Sequence, residues 1–398
     1  MSIQKTLITP IQQALHDSKI PAWLFYGFHN VDPIATQILR FQPKLFATRR
    51  WFYLIPARGE PKKLVHQLES TILDHLPGKK DIYLKWQQLQ SSVKNILGDF
   101  ATVAMQHSEK NAIPYISRVD AGTAELVRSC GTKITSSGDL IQRFEAVWSP
   151  QQMEQHRTTA LTLTSIVQSA FEHVASEVSS HEELSELAVQ CFILDEFEKA
   201  DLITDHPPIV AVNQNSADPH YVCTEENHSS IHVGDFLLID LWAKSIQEKS
   251  VYADITWTAF LGNRLPKRIG EVFSIVRKAR DRGVDFLNKR FQSKTLPRGW
   301  EVDDAVREVI HQAGYGEQFF HRTGHNLGQD VHGNGVHFDN LETHDTRQVI
   351  PGIACTIEPG IYLSGEFGVR SEINIYLSDK GPEVTTPPQE EVLLLPFA

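Results

Sequence analysis

Over roughly the first 150 residues, short apolar runs alternate with longer stretches in which apolar positions recur every three or four residues. Short runs rich in β-branched and aromatic residues read as strands, and the 3.6-residue recurrence reads as helices. The pattern predicts strands over 22–26, 51–55, 81–84 and 102–105. It predicts amphipathic helices over 60–76, 86–97 and 120–127, the last with Asp120 at its N-cap. The stretch 1–20 carries a similar helical alternation. Strands interleaved with helices imply an α/β layer. Trp51, Phe52 and Tyr53 fall inside a strand and read as sheet core rather than as a ligand platform. No phosphate-cradling glycine loop follows the first strand, so a nucleotide site has no sequence support.

The texture changes at Trp148-Ser149-Pro150, where serine at an N-cap and proline at the first helical position open a long helical pattern that runs to about residue 178. A second helix is expected over 182–199. From His206 onward Pro207, Pro208, Asn213, Asn215 and Pro219 break the chain into turn-rich strands, and helical patterns return only over 270–291 and 302–312. No internal repeat or low-complexity tract interrupts this order. The chain is expected to form an α/β domain over 1–148 and an α+β domain over 149–398.

Composition narrows the function classes. With 41% hydrophobic and 22% charged residues, the chain has the make-up of a protein with a large core and not of a disordered one. Its 49 acidic and 38 basic side chains give a net charge of −11. It therefore lacks the basic stripe that nucleic acids require and is not attracted to anionic membrane surfaces. No apolar window is long enough to span a bilayer, and the N-terminal stretch lacks a signal peptide's apolar core. Cys130, Cys191, Cys223 and Cys355 lie far apart with no paired spacing, which fits a reducing, cytoplasmic setting. The unusual count is 18 histidines.

Five segments of the second half place acids or histidines where strand cores should be apolar. Asp240 sits in the run Phe236-Leu237-Leu238-Ile239-Asp240-Leu241-Trp242, and Asp254 among the β-formers Tyr252 to Thr258. The polar stretch 244–250 between them reads as a hairpin tip that would bring the two carboxylates onto neighbouring strands. Such a pair persists at neutral pH when a cation lies between them or when one carboxyl keeps its proton. His321, His325 and His332 fall within twelve residues broken by Gly324 and Gly328, which suits an extended segment lining a site. Glu358 ends the run Cys355-Thr356-Ile357, and Glu372 follows Arg370-Ser371 before another apolar run. Four carboxylates with an imidazole form a hard, oxygen-rich donor set suited to Mn²⁺ or a similar divalent ion, with Zn²⁺, Co²⁺ or Fe²⁺ admitted by the nitrogen. Four are too many for one catalytic ion with an open position, whereas two ions roughly 3.5 Å apart would use them all.

The order and local contexts of Asp240, Asp254, His325, Glu358 and Glu372 resemble the five metal ligands of the pita-bread metallopeptidases, the M24 family. Pro219-His220-Tyr221, the run from His321 to His332, Ile357-Glu358-Pro359-Gly360 and Arg370 resemble its proline-specific branch of Xaa-Pro aminopeptidases and prolidases. Ala47-Thr48-Arg49-Arg50-Trp51 and Pro56-Ala57-Arg58-Gly59-Glu60-Pro61 are similar to the creatinase-like N-terminal domain of the same group. Two departures stand out. Asp240 and Asp254 are 14 positions apart, three more than is usual in the family, and Trp257 replaces a frequent arginine.

The resemblance implies a creatinase-like α/β domain followed by an α+β pita-bread catalytic domain. It implies two divalent ions, manganese before cobalt or zinc, with Asp240 on one, His325 and Glu358 on the other, and Asp254 and Glu372 bridging. Glu358 would shuttle a proton, His220 and His332 would hydrogen-bond the substrate, and His321 and Arg370 would position it. The expected reaction is removal of the residue before proline from the N-terminus of peptides, with Xaa-Pro dipeptide cleavage as the alternative. A metal-free creatinase-like hydrolase or an inactive binding protein on the same fold are more distant readings, disfavoured by the complete ligand set. Proline-containing peptides are the implied partners, and a homodimer or higher homo-oligomer the implied assembly.

Overall fold

The computed structural model describes residues 3–42, 45, 47–180 and 183–397. Its contacts group the chain into two compact units, Met1–Glu145 and Ala146–Ala398.

The first unit is a six-stranded sheet in the order β4-β3-β2-β1-β5-β6, built from β1 (Ala22–Gly27), β2 (Trp51–Pro56), β3 (Lys62–His66), β4 (Lys79–Tyr83), β5 (Thr102–Met105) and β6 (Lys133–Ser136). Only β2 runs against the others. Helices α1 (Thr9–Asp17), α2 (Pro33–Ile38), α3 (Trp86–Leu97), α4 (Ala121–Ser129) and α5 (Gly138–Glu145) accompany it. Asp120 caps α4 through Thr123 N at 2.8 Å. Trp51, Phe52 and Tyr53 are all buried, as alternate faces of a strand covered on both sides must be.

One expectation fails here. Residues 60–76 do not form a helix: 62–66 is strand β3, followed by a short 3₁₀ turn and bends. Gly59, at φ +104°, reverses the chain after β2 and lets Lys62–Leu64 pair with Phe52–Leu54. Ladder pairing on both edges outweighs the local helical spacing. Lys63 then turns its ammonium inward onto the carbonyls of Leu73 and Leu76, satisfying turn acceptors a helix would have used itself.

The second unit opens with α6 (Pro150–Ser179), capped by Ser149 with a reciprocal Gln152 contact, and α7 (Glu186–Lys199). The expected start of the second helix at residue 182 lies outside the described residues. Strands β7 (Leu202–Ile203), β8 (Ile209–Val212), β9 (Phe236–Ser245) and β10 (Ala253–Leu261) follow, with β9 and β10 forming a long antiparallel hairpin against which α6 packs. Helices α8 (Lys267–Gln292) and α9 (Gly299–Gln312) pack on each other. The chain ends with β11 (Asn326–Leu327), β12 (Ala354–Ile357), β13 (Gly360–Leu363), β14 (Phe367–Arg370), β15 (Ile373–Ser378), β16 (Gly381–Val384) and β17 (Leu393–Leu395), the last joining β10. Trp148 belongs to this unit, its amide donating to Gly352 O and its indole to Leu327 O. No described helix is long and apolar enough to cross a membrane.

Candidate metal centre

The β9–β10 register pairs Asp240 with Thr256 and Asp254 with Trp242, so Asp240 and Asp254 are diagonal neighbours on one face of the hairpin. The polar stretch after Ser245 forms the tip, away from both. In the second sheet, Ile357 pairs with Ile373, and beyond a break Gly360 pairs with Arg370. The same register runs through both ladders and places Glu358 opposite Glu372 at the interruption, where Pro359 removes an amide donor. His325 enters beside them because β11 pairs with β12, and its amide donates to Thr356 Oγ1 at 2.9 Å. Asn374 ties the two sheets together, accepting from Asp254 N at 3.0 Å and donating to Asp254 O at 2.6 Å.

Asp240, Asp254, His325 and Glu372 are all buried, and Glu358 is mostly so. His325 Nε2 stands 3.5 Å from Asp254 Oδ2 and 3.4 Å from Glu358 Oε1. Its Nδ1 faces the Asn326 carbonyl at 3.4 Å, which assigns the proton to that nitrogen and a lone pair to Nε2. Burial, reinforced by His332 and Arg322, holds the imidazole well below its usual range and therefore neutral. A lone pair and two carboxylate oxygens then face one another. Burial also drives Asp254 and Glu372 well above the usual carboxylate range, with the neighbouring acids adding to it, and lifts Glu358 to about 7.

Among the described residues, Asp254 Oδ1 and Glu372 Oε1 are buried without a hydrogen-bond partner. Donor atoms of Asp254, His325 and Glu372 lie within 4.8 Å of one another. Unpaired buried oxygens and an inward lone pair are costly unless a cation sits among them. The donor set fits a divalent ion on this ground.

The other expected site residues fall in two groups. His220 and His332 are solvent-exposed, and the His332 ring packs edge-on against His325 at 4.4 Å between centroids. His321 and Arg370, expected to meet substrate, are instead committed to the protein. His321 contacts the Arg322 carbonyl through Nδ1 and Tyr362 Oη through Nε2, while burial holds it at about 3. Arg370 directs Nη2 to Asp240 Oδ2 at 2.6 Å, Nη1 to Tyr362 Oη at 3.0 Å and Nε to Thr256 Oγ1 at 3.0 Å. Arg370 is thus, in the fold, the counter-ion of Asp240.

The sequence reading missed Thr256, Thr356, Tyr362 and Asn374. Thr256 Oγ1 lies 3.0 Å from Asp240 Oδ1 and 2.8 Å from Glu372 Oε2, and Thr356 Oγ1 lies 3.1 Å from Glu358 Oε1. Strand periodicity held a signal for two of them: Thr256 is two residues from Asp254 and Thr356 two from Glu358, hence on the same faces.

Two antiparallel sheets that bring Asp254, His325 and Glu372 together build a pita-bread fold. The model of metallopeptidase family M24 matches residues 161–379, more than half of the chain, and the chain belongs to that family. It is 32% identical to the Xaa-Pro dipeptidase of Pyrococcus furiosus over 185 residues, 46% of this chain and 48% of the relative, so that match spans about half of the relative's length. It is 24% identical to the Xaa-Pro dipeptidase of Lactobacillus delbrueckii subsp. lactis over 89% of this chain and 88% of the relative. The crystal structure of dipeptidase PepE from Mycobacterium ulcerans superposes with a TM-score of 0.69 at 19% identity, over 98% of this chain and 97% of that one.

Proposed function

We propose that the chain is a dinuclear-metal peptidase that hydrolyses Xaa-Pro dipeptides. The observation that carries the reading is the buried set of Asp254, His325 and Glu372, whose donor atoms lie within 4.8 Å of one another and which leaves Asp254 Oδ1 and Glu372 Oε1 unpartnered. Both curated relatives above are named Xaa-Pro dipeptidases, which favours dipeptides over the aminopeptidase reaction expected from the sequence.

In this reading Asp240, Asp254, His325, Glu358 and Glu372 would hold the two ions, with manganese the first candidate and cobalt or zinc the next. Bound there, two divalent ions would supply Lewis-acid polarisation of a carbonyl and a water acidified towards neutrality. The protein's own groups do the rest. Arg370 and Thr256 fix the Asp240 carboxylate, and Thr356 orients Glu358. Glu358, the least buried of the four carboxylates, carries a proton from the attacking water to the proline nitrogen. That nitrogen belongs to a tertiary amide with no N–H, so recognition cannot use the usual amide donor and falls to the carbonyl and the ring. His332, packed on His325, and exposed His220 are the donors assigned to the substrate carbonyl.

The test is to strip the protein with a chelator, restore Mn²⁺, Co²⁺ or Zn²⁺ one at a time, and assay Xaa-Pro dipeptides beside Xaa-Pro tripeptides. Hydrolysis of dipeptides alone supports the proposal. Preferential tripeptide cleavage restores the aminopeptidase reading, and no hydrolysis with any ion overturns both.

A further inference from the structure

The first unit carries a cavity of about 1130 Å³ that the peptidase reading does not use. It opens at Tyr26, the penultimate residue of β1, where His66 ends β3 and Tyr83 ends β4, and where residues 117–123 follow β5. The chain leaves β1 for β2 on one side of the sheet, while β5 lies on its other side, so this edge is the topological switch point of the sheet. Open α/β sheets bind ligands in the crevice outside the carboxyl ends of their strands at such a point.

The lining combines three arginines with large exposed apolar side chains. Arg49, Arg50 and Arg118 all line it. Arg118 Nε is buried with no hydrogen-bond partner. His66 has both ring nitrogens engaged by the protein, Nε2 facing Leu84 O and Nδ1 accepting from Leu68 N. The one carboxylate in the lining, Asp120, spends its oxygens on Thr123. At the mouth, Trp86, Leu84, Val31 and Phe28 are 62, 53, 48 and 39% exposed, large apolar groups left in water around one opening.

The charge of the whole chain hides this. Residues 1–145 hold 18 basic and 12 acidic side chains, whereas 146–398 hold 20 and 37. A protein of net charge −11 thus has a net cationic first unit, with three arginines gathered at its one switch-point crevice.

We propose that this cavity is a binding site for a small organic carboxylate with an apolar ring or chain. The arginines take the carboxylate and the Trp86–Leu84–Phe28 mouth takes the body. Asp32 faces Arg118 and Glu69 faces Arg49 from outside the lining, which leaves Arg50 and the unpartnered Arg118 Nε as the groups that call for an anion, and the apolar mouth disfavours a bare inorganic one as the occupant.

The test uses the purified full chain and three probes: benzoate, inorganic phosphate and benzamide, which keep both features, the charge only and the ring only. Trp86 emission, isolated by difference against Trp86→Phe, reports binding at this mouth rather than at the metal centre. Benzoate is expected to give a saturable change, with phosphate and benzamide at least about tenfold weaker. Arg50→Gln and Arg118→Gln are each expected to weaken benzoate about tenfold, the loss of one charge-assisted bond. Leu84→Ser, at the exposed rim, gives a second variant that cannot fail through a buried cation and is expected to weaken benzoate without affecting phosphate. No saturable benzoate signal, phosphate binding as tight as benzoate, or an isotherm unmoved by all three substitutions would each overturn the proposal.

Discussion

Arg370 donates to Asp240 across 2.6 Å in a buried pair, and burial works against the guanidinium's charge while Tyr362, Asp240, Glu358 and Glu372 outweigh it and raise its pKa well above the usual arginine value. The arginine is therefore a permanent cation inside a cluster of acids. Arg370→Met leaves Asp240 buried without its partner and is expected to cost about 3–5 kcal/mol in urea unfolding. Arg370→Lys keeps the charge but cannot reach Asp240, Tyr362 and Thr256 together, and is expected to recover only part of the loss. Equal stability of the methionine variant and the wild type would refute the pairing.

Thr256 offers one hydroxyl proton to two carboxylates, Asp240 and Glu372, while its oxygen receives Arg370 Nε. Thr256→Val keeps the shape and removes all three contacts. Metal titration by calorimetry should show about 10- to 100-fold weaker binding, the usual effect of losing a group that orients a ligand. Thr256→Ser should restore affinity, which a purely steric role would not predict.

In the metal-free protein the buried carboxylates should contribute less stability as pH rises. Burial raises Glu358 from 4.5 to about 7 and holds Asp254 and Glu372 well above the usual carboxylate range. At these groups the folded state binds protons more tightly than the unfolded chain, so their contribution is full below about pH 4 and is lost as pH rises through 7, while buried neutral histidines such as His321 and His325 work in the opposite direction. Glu358 alone accounts for up to about 3 kcal/mol across that window. Thermal melting of the chelated wild type and of Glu358→Gln at pH 5 and pH 7.5 isolates this contribution, and a wild-type advantage over the variant that does not fall at the higher pH would contradict it. Adding Mn²⁺ at pH 7.5 should raise the melting temperature, because an ion that binds only the folded state shifts the equilibrium by mass action.

Glu186 is buried and accepts from Val212 N, Ser229 N, Tyr221 Oη and Asn215 Nδ2, tying helix α7 to the segment that carries His220. Glu186→Gln replaces an acceptor oxygen by a donor amide facing N–H groups. Chemical denaturation should show a loss of about 1–3 kcal/mol. A variant as stable as the wild type would mean that the carboxylate does not organise the loop.

Much of this was legible in the linear chain, for reasons that differ by element. Helix α6 announces itself through Ser149 and Pro150, and β9 and β10 through aspartates that interrupt strong apolar runs, because caps and buried charges are local violations a sequence cannot hide. The helix expected over 60–76 was not legible as strand, since Gly59 and pairing on both edges of β3 decide it. The contacts of His321 and Arg370 with Tyr362 were not legible because a side chain's partner is set by which strands meet, and Tyr362, the shared partner of both, gives no sign of this in the chain.

The sequence by itself determined the kind of chemistry: four carboxylates and a histidine placed in strands that should have been apolar persist by sharing cations or protons. Tertiary structure alone decided which atoms face one another, since a shared register across two ladders sets Glu358 opposite Glu372 and a strand pairing brings His325 to Asp254. Residue type fixes the cost of burial, and it is long-range pairing that fixes who shares it.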